Sequence, residues 1–315
     1  MGVFVFLPLV LPLTAWPVAR LAAQHLHPRT ATRLLTGVAA AMAACSTLCL
    51  ALLMVVGTAQ LPGNPLPDGW SDPEVRAAVP FDEIAGKAAI PTLLVVLAVC
   101  ARALWRHGRV RRRAHRALAG LPGTEVVVLP DDVPYAYALP GGRLPGRGRG
   151  RVVVTSALLD CLEPAERRAL FAHERAHLAA RHHRFLLTVQ LASHANPLLR
   201  PLRTAVTYAA ERWADEEAAQ AVGSRRTVAR AIGKAALVSR GAPALTLAGF
   251  AAPGPVPRRV AALLGPAPAG RDWPSVFTAM GLAAWGAAAG TVASAMSSAN
   301  SAVTMLVILH AATPL

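Results

Sequence analysis

Long uncharged apolar stretches alternate with charged segments along this chain. Four of them stand out, at residues 1–18, 34–56, 88–104 and 276–296. A helix needs about 20 mostly apolar residues to cross a bilayer, and these stretches approach or reach that length. The fourth is rich in Gly, Ala and Ser, which is typical of helices that pack closely in lipid. Four such stretches in one chain favour transmembrane helices over the buried helices of a soluble core.

Between the third and fourth stretches, residues 106–273 have the length of one compact domain. Three short runs rich in β-branched or alternating residues predict strands, at 125–129, 135–139 and 151–155. The second run is placed to pair with the first. This part of the chain is therefore expected to contain a small strand-bearing unit.

Helices make up the rest of this domain. The strongest begins at Pro164, a favourable first helical position, and continues through ERRALFAHERAHLAARHHR without another helix breaker. Residues 205–222 predict a further helix that Gly223 ends, and residues 258–264 predict a short one. The apolar stretch 185–199 is interrupted by polar residues, and it is either a buried helix or a segment lying at the membrane surface.

Arginine supplies almost all of a formal net charge of +15. The arginines collect in the segment 19–33 and in the run 106–116, whereas the segment 57–87 is acidic. Positively charged loops stay on the cytoplasmic side, which predicts an N-terminus outside and residues 106–273 in the cytoplasm of a bacterial cell. The run 106–116 is expected to anchor on anionic lipid. Because only Trp105 lies close to it, it lacks the interleaved aromatic residues of a nucleic-acid interface, and nucleic acid is not an expected partner.

These features divide the chain into three parts. Residues 1–105 hold three membrane helices with a basic inner loop and an acidic outer loop, residues 106–273 form the cytoplasmic domain, and residues 274–315 hold the fourth helix and a short outer tail. The predicted fold class is a mainly α membrane protein with four transmembrane helices and an inserted α+β domain.

The motif HERAH at residues 173–177 carries the strongest chemical signal. On a helix, residues four apart project to the same side, so His173 and His177 are placed as two nitrogen ligands of one tetrahedral Zn²⁺. Glu174 projects in another direction and is placed to act as general base on the water at the metal. Zinc lowers the pKa of such a water to about 7 and polarises a scissile carbonyl. One zinc ion per chain is therefore the expected cofactor.

A catalytic zinc keeps three protein ligands and an open position, so a third ligand is expected downstream on another element. Glu211, on the predicted helix 205–222, is the best candidate. Asp215 lies one turn later on the same face and is placed to orient a ligating histidine through its second ring nitrogen. Glu216 and Glu217 are alternatives by composition, but they project in other directions.

The order HERAH, then HANP at 194–197, then ERWAD at 211–215 resembles the M56 peptidases, the membrane-embedded zinc metalloproteases of the BlaR1/MecR1 type. More distantly, the chain resembles the M48 peptidases, in which an E-x-x-x-D element supplies the third ligand. The M56 resemblance covers residues 134–264 in motif order and implies three spans, a cytosolic gluzincin-type metalloprotease domain and a fourth span. It also implies the roles of the site residues: ligands His173, His177 and Glu211, base Glu174, and Asp215 as the neighbour of the ligands.

Two departures from the M56 pattern change the expectations. The β-lactam sensors of that family carry an extracellular penicillin-binding domain after the fourth span, whereas this chain ends at Leu315, so antibiotic sensing by that route is not expected. His182 stands near the position of the usual acid of the family. His182 and His183 are expected on a basic, membrane-facing or solvated surface rather than as ligands. For His194, a hydrogen bond to the developing oxyanion and a packed or lipid-facing position both stay open.

The sequence thus predicts an integral membrane zinc metalloendopeptidase that hydrolyses protein or peptide substrates at the cytoplasmic face of the bilayer. A cytoplasmic repressor is a hypothetical substrate that rests on the resemblance alone. Two alternatives are a membrane-protein quality-control protease of the M48 type, and a signalling or scaffold protein that binds zinc without proteolysis. The intact Glu174 favours an enzyme, because a structural zinc site has no use for that carboxylate.

Overall fold

Three long helices dominate the computed structural model, and a small sheet and shorter helices accompany them. It describes residues 6–58, 81–122, 124–141, 150–238, 256–268 and 277–312. The long helices are α3 (Pro28–Thr58), α4 (Asp82–Ala117) and α11 (Ala279–Ala312). The shorter ones are α1 (Leu7–Val10), α2 (Ala15–His25), α5 (Ser156–Asp160), α6 (Pro164–Ala179), α7 (His182–Ala195), α8 (Arg200–Val222), α9 (Arg225–Val238) and α10 (Val256–Leu264), with 3-10 turns at Leu11–Thr14 and Pro197–Leu199. The strands are β1 (Val126–Leu129), β2 (Ala136–Leu139) and β3 (Arg151–Thr155).

All three long helices are long and apolar enough to cross a membrane, over Pro28–Thr58, Glu83–Ala117 and Gly281–Ile308. They correspond to the second, third and fourth predicted spans. Each helix extends past the stretch that predicted it, because a helix continues into polar flanks wherever nothing breaks its hydrogen bonds.

The first predicted span, residues 1–18, takes a different form. Its described part is a series of short helical turns interrupted by prolines, and the apolar segment Leu7–Ala22 is shorter than the three long spans. Proline removes a helix hydrogen bond and kinks the chain. The segment runs back along α3, since Phe6 and Leu9 pack against the buried cluster around Cys49. A fourth span at this position stays a prediction.

The end of α11 corrects the predicted outer tail. The helix continues to Ala312, so residues 297–312 are helical. Small hydroxyl side chains find partners inside a helix bundle. Ser298 Oγ donates to the carbonyl oxygen of Cys45 on α3 at 3.4 Å, and Ser301 is buried.

The end of α4 gives part of the basic run 106–116 a contact that the sequence did not predict, while the expected contact of the run with anionic lipid stays a prediction. This run is the last part of a helix that continues to Ala117, so the predicted boundary between membrane part and domain lies inside one helix. Arg111 donates to the carbonyl oxygen of Pro140 just after β2, and His115 Nε2 lies 3.1 Å from the same oxygen. Part of the run therefore holds the sheet.

The sheet has the order β1-β3-β2, with β3 parallel to β1 and antiparallel to β2. The predicted pairing of the first two strands is therefore wrong. Val152, Val153 and Val154 of β3 are fully buried. A continuous apolar run is typical of a strand that is covered on both faces, and such a strand lies in the centre of a sheet.

The single helix predicted from Pro164 divides into α6 and α7. Arg181 between them has a left-handed φ of 55°, a conformation that costs roughly 1 kcal/mol for a residue with a Cβ. No Gly or Pro at this position indicates the turn in the sequence. The turn folds the start of α7 back against the end of α6. In contrast, α8 and the positive φ of 71° at Gly223 confirm the helix predicted over 205–222 and its end.

Helices α7 and α8 pack directly on the membrane helix α3. Val189 of α7 and Leu202 of α8 share one buried cluster with Leu35 and Met42 of α3. The stretch 185–199 is thus a buried helix, one of the two alternatives that the sequence left open.

A buried polar chain joins the same elements. Asn196 Nδ2 donates to Ser46 Oγ on α3 at 3.0 Å, and Ser46 Oγ donates to the carbonyl oxygen of Pro8 at 2.7 Å. Asn196 Oδ1 also accepts from the backbone N–H of Leu198 and begins the following turn. The asparagine of the HANP motif therefore fixes the end of α7 against α3.

Candidate metal centre

Three side chains from two helices converge at one point. His173 and His177 lie one turn apart on α6, and Glu211 lies on the facing helix α8. The Nε2 atoms of the two histidines are 3.1 Å apart. Glu211 Oε2 lies 3.6 Å from Nε2 of His173, and Glu211 Oε1 lies 3.4 Å from Nε2 of His177.

These spacings fit a tetrahedral metal ion. Ligands 2.0–2.2 Å from a tetrahedral zinc lie about 3.3–3.6 Å from one another. The two imidazole nitrogens and the nearer carboxylate oxygen of each pair lie close to that interval, and one ligand atom from each of the three residues lies within 4.8 Å of the others. Two imidazole nitrogens with one carboxylate form a donor set that zinc prefers. His173, His177 and Glu211 would therefore hold the ion, as the sequence predicted.

Each histidine is held from behind through its other ring nitrogen. His173 Nδ1 lies 3.0 Å from Oδ1 of the fully buried Asp215. His177 Nδ1 lies 2.8 Å from Nδ1 of His182. Ligation through Nε2 would place the proton of each ring on Nδ1, so His177 would donate to His182 and the Nδ1–H of His173 would face the carboxylate of Asp215.

Arg259 on α10 binds both carboxylates of α8. Its Nε and Nη2 donate to the two oxygens of Asp215 at 2.9 and 2.6 Å, and its Nη1 lies 2.9 Å from Glu211 Oε2. All three side chains are buried. Buried carboxylates need a cation beside them, and this planar guanidinium supplies one in a forked geometry.

The pKa values follow from these contacts. Burial acts to raise the pKa of Glu211 and Asp215, but Arg259 and the histidines outweigh it and hold both below the usual range. Burial acts to lower the pKa of His173, but the two carboxylates outweigh it and raise it to about 10. The proton on His173 thus balances the second carboxylate. A divalent ion bound there would take over this balancing charge, which is further support for the fit.

Glu174 sits beside this group with its carboxylate against the sheet. It accepts a hydrogen bond from the backbone N–H of Ala138 on β2. Burial raises the pKa of Glu174 to about 7, and the charge of Glu211 adds to this while His173 and Arg259 oppose it.

His182 corrects a prediction. It is 1% exposed, so it does not lie on a membrane-facing or solvated surface. Its ring packs on Trp213 with centroids 4.7 Å apart, and burial lowers its pKa to about 2. The left-handed turn at Arg181 places it there, and the sequence gives no signal for that turn.

The other candidates lie elsewhere. His194 is in the last turn of α7, about 18 Å along the helix axis from His182, so the structure does not bring it to the three ligands. Glu216 pairs with Arg212 and Arg225, and Glu217 accepts from Trp213 Nε1.

Arg259 is a residue that the sequence analysis missed. The short amphipathic helix 258–264 was predicted, and two buried acids on one helix face require a cation. Together these two signals could have indicated an arginine of that helix, although they do not distinguish Arg258 from Arg259.

Comparison with known proteins bears on the same segment. Residues 101–195 match the model of peptidase family M48. The chain is 38% identical over 77 residues to "Protease HtpX homolog" of Persephonella marina, which is 24% of this chain and 25% of that protein. It is 39% identical over 75 residues to "Protease HtpX homolog 2" of Methanosarcina mazei, which is 24% of each chain. The chain thus matches about a quarter of the length of these curated relatives, and no solved structure gives a significant match.

These matches, with the three apolar helices, support a membrane metallopeptidase of the M48 type. The M56 subfamily is not confirmed by them. The matched segment includes HERAH and ends before Glu211, so the third carboxylate, its neighbour Asp215 and Arg259 depend on the geometry alone.

Proposed function

We propose that the protein is an integral membrane zinc metalloendopeptidase of the M48 type, with its reaction centre at His173, His177 and Glu211. The observation that carries the proposal is that the Nε2 atoms of His173 and His177 lie 3.1 Å apart and that each faces one carboxylate oxygen of Glu211, at 3.6 Å for Oε2 and 3.4 Å for Oε1, so that one ligand atom from each residue can meet at one ion. Zinc held there would supply an acidic water and polarise a peptide carbonyl.

The surrounding side chains hold this geometry. Asp215 and His182 fix the two imidazole rings so that both present Nε2 to the same point. Arg259 keeps Glu211 ionised and binds it on the side of Oε2. Each of these contacts restricts a rotation that would take a ligand atom out of the group.

Glu174 carries the proton in this proposal. A carboxylate with a pKa near 7 accepts a proton from water and returns it to a leaving amine close to neutral pH. The hydrogen bond from Ala138 keeps its carboxylate directed at the space between α6 and β2. A zinc site without enzymatic activity would leave this half-buried acid without a role.

The sheet supports a peptide as the substrate. Among the described strands, β2 has β3 on one side only, so no strand pairs with its other edge. The N–H of Ala138 points away from β3 and towards Glu174. An extended peptide that adds to this edge by backbone hydrogen bonds would pass beside Glu174 and the three ligands.

The test is Glu174→Gln in the full-length protein, purified in detergent and loaded with zinc. We expect zinc content equal to wild type and cleavage of casein reduced by about 10²–10⁴-fold. The matched control is Glu125→Gln. It removes an exposed carboxylate that pairs with Arg175, the residue after Glu174 on α6. Unaltered cleavage in Glu174→Gln, or wild-type protein that binds no zinc, would contradict the proposal.

The substrate class separates the two family hypotheses. A misfolded membrane protein is the expected substrate of an M48-type quality-control protease, and a cytoplasmic repressor that of an M56-type regulator. The match over residues 101–195 favours the first. Cleavage of an unfolded membrane protein in vesicles, with a folded soluble protein left intact, is the expected result.

The proposed location is the membrane of a bacterial cell, crossed four times, with the metal centre on the cytoplasmic side. In this orientation the starts of α3 and α11 and the basic end of α4 would lie on the cytoplasmic side, which is supported by the tendency of arginine to stay in the cytoplasm. A tag at the C-terminus is then expected to be accessible from outside the cell.

A further inference from the structure

A groove of about 720 Å³ opens between α3 and α11, and its lining contains none of the residues assigned to the metal centre. Its lining changes along its length. Arg29 and Arg33 lie at one end, and the small or apolar residues Gly37, Val38, Ala288 and Thr291 line the rest. Both helices are long and apolar enough to cross a membrane, so the groove follows the direction of the lipid chains.

The charged end of the groove has two adjacent cations. Arg29 and Arg33 lie one turn apart on α3, both exposed, with their guanidinium carbons 5.6 and 5.4 Å from the ring centre of Trp213. Within the described parts of the chain, neither has a carboxylate within ion-pair distance. The nearby Glu217 accepts from Trp213 Nε1 instead. Stacking on one indole holds both guanidinium groups in place while their N–H donors stay available.

The apolar part of the groove has room for a chain. A Cβ added to Gly37 would meet nothing within 4 Å, so this position is open space in the wall of α3. Ala288 and Thr291 on α11 are small and leave the opposite wall equally shallow. An acyl chain needs such a shallow, apolar channel between two helices.

We propose that this groove binds an anionic phospholipid, with the phosphate on Arg29 and Arg33 and an acyl chain along Gly37 towards Thr291. The charge of the two arginines selects the anionic headgroup, and a forked guanidinium suits a phosphate better than a point charge does. The location at the inner end of two membrane helices places the site at the level of the headgroups of the cytoplasmic leaflet, where anionic lipid is concentrated.

The site also touches the support of the metal centre. Trp213, on which both arginines stack, packs against His182, and His182 contacts His177. A lipid that fixes the arginines therefore also fixes one side of the Trp213 ring. The binding itself does not depend on the proposed peptidase activity, and its test below uses no cleavage assay.

The test uses the full-length protein, stripped of lipid in detergent and then mixed with phosphatidylglycerol or phosphatidylcholine. Retained lipid is counted by native mass spectrometry, and the melting temperature is recorded for each mixture. We expect one tightly held phosphatidylglycerol, a melting temperature raised by it, and no comparable effect of phosphatidylcholine. Inorganic phosphate in excess is not expected to replace the lipid, because it lacks the acyl chain.

Two variants locate the site. Replacing both arginines (Arg29→Gln with Arg33→Gln) is expected to weaken phosphatidylglycerol binding by about 30-fold, from about 1 kcal/mol for each arginine at the membrane surface. Gly37→Leu keeps every charge and fills the channel, and it should also expel the lipid. Arg168→Gln with Arg226→Gln, at exposed positions of α6 and α9 outside the groove, removes the same charge elsewhere and should leave binding unchanged.

Three results would overturn the proposal. The first is equal lipid retention in wild type and both groove variants. The second is an equal loss in the control variant on α6 and α9, which would mean attraction by net charge alone. The third is Gly37→Leu that retains the lipid as wild type does while the double arginine variant loses it, which would show that the apolar channel does not hold an acyl chain.

Discussion

Nδ1 of His182 lies 2.8 Å from Nδ1 of His177, the ring nitrogen that faces away from Glu211. A histidine thus supports one ligand, whereas a carboxylate, Asp215, supports the other. Burial keeps His182 neutral, since it lowers its pKa to about 2, so it acts as an acceptor without adding charge to the centre. The two ligands are therefore held with unequal strength, because a bond to a carboxylate is stronger than one to a neutral ring.

We predict that His182→Phe lowers zinc affinity by about 10–100-fold, the usual effect of losing an outer partner of a metal ligand. Phenylalanine keeps the ring packing on Trp213 and removes only the nitrogen acceptor. Competition with a chromogenic chelator measures the affinity. His194→Phe, the same exchange at the far end of α7, is the control and should bind zinc as wild type does. Equal affinities in all three proteins would show that His182 does not position His177.

Arg259→Met should leave two buried carboxylates without their cation. We expect the free energy of unfolding to fall by about 3–5 kcal/mol in the presence of a chelator. Added zinc should restore a large part of it, because the ion supplies the missing positive charge at Glu211. Thermal unfolding in detergent with chelator and with zinc measures both effects.

Arg259→Lys separates charge from geometry in the same experiment. Lysine keeps the positive charge but contacts only one oxygen at a time. The unfolding temperature of Arg259→Lys should lie between those of wild type and Arg259→Met. If Arg259→Lys unfolds at the same temperature as wild type, the forked contact with Asp215 contributes nothing beyond its charge.

The ion pair of Glu166 with Lys234 predicts a pH dependence. Glu166 is buried at the start of α6, and burial acts to raise its pKa, but Lys234 Nζ at 2.7 Å and the N–H of Glu163 outweigh it and lower the pKa below the ordinary value of 4.5. A lowered pKa in the folded state stabilises the fold above the ordinary pKa, and this contribution is lost as the pH falls through the lowered value. Glu166→Gln should cost about 1 kcal/mol at pH 7, since Lys234 is partly exposed.

The cost of Glu166→Gln should shrink steadily below pH 4.5, as the wild-type carboxyl takes up its own proton. Urea unfolding in detergent at several pH values measures the difference. Glu163→Gln, at the start of the same helix, keeps its acceptor oxygen and should show no such trend. A cost that does not change with pH would mean that shape and not charge sets the contribution of Glu166.

The contact between α3 and α4 requires glycine at two positions. A Cβ on Gly86 of α4 would lie 2.7 Å from Cα of Gly57 on α3, too close for any carbon contact. Gly86→Ala should therefore push the helices apart and cost about 1–3 kcal/mol. Gly108→Ala on the same helix meets only the end of Arg112 at 3.7 Å and should be neutral or stabilising. Melting temperatures of the two variants that do not differ would contradict this packing.

The sequence predicted correctly those features that are determined within a single helix. The spacing of His173 and His177 on α6, and of Glu211 and Asp215 on α8, follows from helical periodicity alone, and the structure brings these side chains together. The three long apolar helices follow in the same way from their composition.

The parts that the sequence could not supply depend on contacts between elements. Arg181 adopts a left-handed conformation without a Gly or Pro signal, so the position of His182 could not be predicted. The strand order places β3 between β1 and β2, because the valines of β3 are covered on both faces. The hydrophobic pattern of strands that are neighbours in sequence does not contain this information. Arg259 meets Asp215 across 44 positions of the chain, and only packing of α10 on α8 selects it over Arg258.

The hydrogen-bonded chain from Asn196 through Ser46 to Pro8 has a practical meaning for anyone who works with this protein. A soluble fragment cut at residue 106 would lose the partners of Asn196 together with the apolar surface of α3 that covers Val189 and Leu202. The smallest fragment able to fold is thus expected to begin before α3. The domain that holds the metal centre is not expected to fold when it is fused to unrelated membrane helices. Truncation screens and chimaeras should keep α1, α2 and α3 attached to the domain.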